Sequence, residues 1–103
     1  AGKAIPALES AVARDPGLLP ARAALGRAYM ETDRAALALP HLEAAAAEDE
    51  DGGLHYQLAR AYQSAGRADK AATALATYQR LRAEADSRAR GLEQEFRITP
   101  PRQ

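Results

Sequence analysis

Residues 58–75 read LARAYQSAGRADKAATAL, and residues 25–42 read LGRAYMETDRAALALPHL. Laid over one another at one constant offset, Leu25 meets Leu58, Gly26 meets Ala59, Tyr29 meets Tyr62, Ala38 meets Ala71 and Leu42 meets Leu75. Self-similarity at a fixed period of about 20–50 residues is a signature of repeat architectures. The spacing inside each copy has a physical reading. Leu58 and Tyr62 are four apart, so they share one helix face, and Ala71 and Leu75 share a face on the next helix. A small residue, Ala59 or Gly26, falls where the two helices pass closest. The pattern predicts an antiparallel helix pair whose large side chains nest around a small contact point, followed by the same pair again.

Composition agrees with an all-α chain. About a quarter of the 103 residues are alanine, the best helix former, and β-branched residues, which favour strands, are scarce. Fourteen basic and fourteen acidic residues cancel. The even balance lacks the basic footprint of a nucleic-acid binder, and no apolar run reaches the ~20 residues of a membrane span. With no cysteine there is neither a disulfide framework nor thiolate chemistry, and the compartment is left open.

Punctuation divides the chain into helices of about 2–14, 19–31, 34–48, 54–64 and 68 to about 96. Asp15-Pro16-Gly17 is a turn signal. Thr32-Asp33 is a helix break with a capping residue, Asp49–Gly53 is an acidic turn, and Gly66 is a helix C-terminal glycine. Pro20 suits the first turn of its helix, whereas Pro40 lies inside a helix and is expected to kink it or mark a local irregularity.

With these residues in view, the chain resembles the tetratricopeptide repeat family over roughly residues 2–82. Leu25, Gly26, Tyr29, Ala38, Leu42 and Ala45 fill the motif places in one repeat, and Leu58, Ala59, Tyr62, Ala71 and Leu75 in the next. Ala4, Leu8, Ala11 and Pro16 match the second half of a repeat before them. The resemblance implies a short right-handed α-solenoid divided as 1–18 (second helix of a truncated repeat), 19–51, 52–84, a helical extension 85–96 and a tail 97–103. On this reading the sequence opens mid-repeat, as a piece of a longer protein, and Ala4, Ile5, Leu8, Ala11 and Val12 form an apolar strip left exposed by a missing helix. There are departures. Arg22 and His55 stand where a large apolar residue is usual, Tyr78 replaces a small one, and the Asp49–Gly53 turn is short and lacks proline.

Neither composition nor motif offers chemistry. His41 and His55 are the only histidines, and a metal site needs three or four converging ligands. The Glu48–Asp51 run lacks the alternating ligands and terminal glutamate of a calcium loop, and Glu93 and Glu95 have no base or nucleophile beside them. The chain is therefore read as a non-enzyme with no cofactor and no metal.

The resemblance points instead to protein–protein interaction. The first helix of each pair lines a concave groove, which places Ala23, Ala24, Arg27, Met30 and Glu31 there from one repeat and Tyr56, Gln57, Arg60, Gln63 and Ser64 from the next. Arg27 and Arg60 are equivalent, and two adjacent guanidinium groups suit a carboxylate. Family members that clamp a C-terminal carboxylate use Asn and Lys at such places. Those residues are absent here, so that specificity is not implied. The partner is a peptide or protein; nucleic acid and membrane insertion are not expected. The alternative reading is structural. Leu75, Tyr78, Leu81, Ala85, Ala89, Leu92 and Phe96 recur at threes and fours on the last helix. Either Asp86-Ser87 breaks this helix and its end folds back as a cap, or it runs on unbroken to about Phe96. Asp86-Ser87 has no Gly or Pro, which favours the long helix, and an uncovered stripe of Leu81, Ala85, Leu92 and Phe96 would then support a homodimer.

Overall fold

The computed structural model describes residues 2–98, with side chains through Glu95. After one 3-10 turn (Gly2–Ala4) come five α-helices: α1 (Ile5–Arg14), α2 (Leu19–Glu31), α3 (Ala35–Ala46), α4 (Gly53–Ser64) and α5 (Ala68–Ile98). Among the described residues there is no strand, and no helix is long and apolar enough to cross a membrane. Each helix packs on the next in sequence, and α2 also touches α4. The pairs run antiparallel: Tyr29 stacks on His41 while Gly26, a turn earlier, abuts Leu42. In the second pair Tyr56, near the start of α4, meets Tyr78, well along α5.

Two turns carry the repeat. At the end of α2 the Asp33 N–H donates to the Met30 carbonyl and the Arg34 N–H to the Tyr29 carbonyl. At the end of α4 the Gly66 N–H donates to Gln63 and the Arg67 N–H to Tyr62. This paired bonding is the Schellman cap, which needs one left-handed residue. Asp33 has φ 62° and Gly66 has φ 77°. Asp33, a candidate cap for the start of the following helix, instead closes the preceding one, and α3 begins with no side-chain cap. Asparagine and aspartate tolerate the left-handed region better than other non-glycine residues, so a turn there does not require glycine.

The core is small and rich in alanine. Leu25, Tyr29, Leu42, Leu58 and Tyr62 are buried, as the knob pattern requires, around Ala28, Ala38 and Ala61. Leu75 departs from the pattern at 40 % exposure, where its equivalent Leu42 is fully buried. The difference lies in the next helix. Leu42 lies on α3, which packs on both α2 and α4, whereas among the described residues α5 packs on no helix but α4. The apolar strip expected on α1 is also absent. Ile5 and Val12 are buried and Leu8 and Ala11 half-buried, and only Ala4 of the five is exposed. These residues turn toward α2, so they serve one side and not two. Pro40 leaves α3 unbroken. It and Ala36, whose carbonyl loses its partner, are both exposed, so water can take that bond.

The last helix is continuous through Asp86-Ser87. Its first half lies on α4, and Tyr78 backs onto Gly52 at the turn before α4. A Cβ at Gly52 would lie 2.8 Å from the Tyr78 carbonyl oxygen, and its φ of 90° is left-handed, so both space and backbone call for glycine. Beyond Ala85 every described side chain of α5 is exposed. The projecting helix explains why the radius of gyration is 17.4 Å, above the ~13 Å usual for a compact chain of this length.

Leu42 and Leu75 hold the same place in their repeats but not the same environment. At dilutions where the chain is monomeric, Leu42→Ala should cost roughly 2–5 kcal/mol in chemical denaturation, and Leu75→Ala under about 1 kcal/mol. Equal losses would show that an uncovered end face is the wrong description.

Candidate functional site

The expected groove residues fall into two places. Arg27, Met30, Glu31, Gln57 and Arg60 line one hollow of about 140 Å³ between α2 and α4. Tyr56, Gln63 and again Arg60 border a larger hollow of about 430 Å³, whose other wall is Ala71, Ala72 and Leu75 of α5. Ser64 is exposed and lines neither, Ala23 is buried, and Ala24 is half-buried. Two guanidinium groups and one carboxylate thus share the first hollow, which is net cationic but not uniformly so. The end-of-helix residues also separate. Leu81 and Ala85 are half-buried, with Leu81 beside Glu50 and the Arg88 guanidinium near the Glu50 carbonyl. Leu92 is 57 % exposed. The side chain of Phe96 lies outside the described residues. The uncovered stripe therefore starts later along α5 than its spacing suggests, because the Asp49–Gly53 turn shields its first part.

Polar side chains fix the helices that carry these surfaces. The Tyr29 hydroxyl donates to Glu9 of α1, and the Tyr62 hydroxyl donates to Glu43 of α3. Each bond ties the first helix of a pair to the helix before it. The hydrogen bond and burial raise the Tyr29 pKa, and burial together with Glu43 pushes Tyr62 up to about 12. A second device explains the two polar residues at apolar places. The Arg22 side chain donates to the Pro16 carbonyl. His55, at the equivalent place one repeat later, meets Asp49 Oδ2 with its ring Nδ1 at 2.8 Å and with its backbone N–H at 3.0 Å. Both residues anchor the loop before their helix.

Asp49 is 4 % exposed at its side chain. Burial pushes its carboxyl up, but hydrogen bonds from His55 and the Leu54 N–H outweigh burial and leave it lowered. The Asp49–His55 spacing was a visible signal, since an acid just ahead of a helix can reach a free N–H of the first turn. His41 stacks on Tyr29 at 5.9 Å, and its buried Nδ1 has no partner among the described residues. Burial, then the charge of Arg22, lower its pKa, so the ring stays neutral at pH 7. Among the described residues no three His, Asp or Glu side chains converge as metal ligands. No family model matches this chain, and no curated protein matches it.

The tyrosine bonds give a pH dependence of known sign. Tyr62 titrates near 10 when unfolded and near 12 when folded, so its contribution is fully present below about pH 10 and lost as pH rises toward 12. The loss is on the order of 2 kcal/mol. Denaturant midpoints measured from pH 9 to 12 should fall, and Tyr62→Phe should flatten that fall, leaving the smaller part due to Tyr29. A midpoint independent of pH in this range contradicts the buried Tyr62–Glu43 bond.

Proposed function

We propose that the chain is a tetratricopeptide-like module, a short right-handed α-solenoid, that binds a peptide or protein partner on the face formed by α2 and α4. The observation that carries this reading is the Arg27–Arg60 pair. The two residues are equivalent by the repeat offset, both are exposed, and both border one hollow. Further support comes from the paired caps, which repeat at the same interval and hold α2 and α4 alike. Guanidinium groups recognise carboxylates in bidentate fashion, so the partner is an acidic segment, or one ending in a free carboxylate, laid across the two helices. Met30 and Gln57 supply an apolar and an amide contact between the charges.

Peptides selected from a displayed library against the chain provide the test. Selected ligands should be enriched in Asp, Glu or a free C-terminus. Arg27→Glu with Arg60→Glu should weaken them by about tenfold or more, equivalent to about 1.4 kcal/mol, and Arg→Lys at both places should weaken them less, since lysine keeps the charge without the fork. Ligands that bind the Glu variant as tightly as the native chain would place the site elsewhere.

A further inference from the structure

The larger hollow, between α4 and α5, is the face that the repeat leaves uncovered at its end. The equivalent positions one repeat earlier show what such a face holds when occupied. Ala59, Ala71 and Leu75 correspond to Gly26, Ala38 and Leu42, all buried, and the helix packed over that earlier face is α4. The occupant there is an amphipathic helix carrying Leu58 and Tyr62 four apart. At the end face Ala59 is still buried and Ala71 half-buried, but Leu75 is 40 % exposed, and beside them Tyr56 is 43 % exposed, around about 430 Å³.

The chain contains a third pair of this kind. Leu92 and Phe96 are again four apart, and they fall one place later than the repeat offset from Leu58 and Tyr62 would put them. They lie on the far half of α5, where Leu92 is exposed. They cannot reach the hollow of their own chain. Its α5 wall is Ala68–Leu75, and Leu92 stands roughly 30 Å beyond Ala72 on the same unbroken helix at about 1.5 Å per residue. Charge fits as well. Among the described residues the ion pairs are His55–Asp49, Arg80–Glu84 and Arg82–Asp86. That leaves Arg60, on the wall of the hollow, and Arg90, Glu93 and Glu95, close beside Leu92, without one.

We propose that the occupant is a second copy of this chain. The Leu92–Phe96 end of each α5 seats in the α4–α5 hollow of the other, with Glu93 or Glu95 facing Arg60. The exchange is reciprocal and isologous, so it closes as a two-fold dimer and does not propagate. The surface is the end face of the helix array, separate from the α2–α4 hollow except at Arg60, which borders both.

Sedimentation equilibrium of the whole chain tests this with two exposed substitutions, neither lining the α2–α4 hollow. Ala72→Glu fills the seat, and Leu92→Glu spoils the helix that enters it. The native chain is expected to be a dimer and each variant a monomer of unchanged helical content by circular dichroism. An equimolar mixture of the variants is expected to recover a dimer, weaker than native, because one intact seat and one intact helix end remain per pair. Recovery in the mixture also shows that both variants are folded. A native chain that is monomeric at every concentration overturns the proposal. So does an Ala72→Glu chain that remains dimeric: if Leu92→Glu abolishes that dimer, α5 pairs with α5, and if it does not, another surface is used.

Discussion

Gly26 of α2 lies hard against Leu42 of α3, and the rest of the packing depends on that crossing. A Cβ built on Gly26 would lie 2.6 Å from Leu42 Cδ2 and 2.7 Å from its Cγ. Leu42 is fully buried, so it has little freedom to yield. The absent side chain lets α3 lie close enough for Tyr29 to stack on His41 and for Ala38 to be wholly enclosed. A helix glycine costs about 1 kcal/mol relative to alanine, and here that cost is offset by close packing of one fully buried leucine and its neighbours. The second pair relaxes the constraint. Ala59 faces Leu75 across an open hollow, and there is room for its methyl group.

Around this crossing the chain uses polar bonds sparingly and repeats them. Schellman caps end α2 and α4 at one interval, tyrosine–glutamate bonds join each pair to the helix before it, and Arg22 and His55 hold the preceding loops. A core with so much alanine has few large apolar contacts to fix the tilt of one pair on the next. The tyrosine–glutamate bonds supply that definition, because each is made between helices and not within one.

The helices and most of the core were legible in the sequence because both follow from periodicity. Leu25, Tyr29, Leu42, Leu58 and Tyr62 needed only their spacing. What spacing could not show was which copies of a face have a neighbour. Leu75 reads like Leu42 and the residues of α1 read as two-sided, yet burial depends on whether a further helix lies across them. Asp33 misled because aspartate suits both a helix start and a left-handed turn, and φ distinguishes the two. Arg27 and Arg60 were legible as equivalents, but the division of their neighbours between two hollows depends on the side of α4 from which each projects. The shielding of Leu81 by the Asp49–Gly53 turn is a contact between segments far apart in sequence, outside the reach of a helical stripe.

The α2–α4 and α4–α5 hollows come from the same arrangement. Stacking one pair on another sets Arg27 beside Arg60, and ending the stack on a helix that runs straight on leaves Ala72 and Leu75 open. Both depend on the tight α2–α3 crossing, and the stability of Gly26→Ala against Gly91→Ala measures it most directly. Gly91 is also mid-helix but has open space around it, so alanine there should stabilise by about 0.5–1 kcal/mol. At Gly26 the opposite sign is expected, a loss of roughly 1–3 kcal/mol from overpacking against Leu42. A gain at Gly26 equal to that at Gly91 would contradict a crossing that has no room for a methyl group.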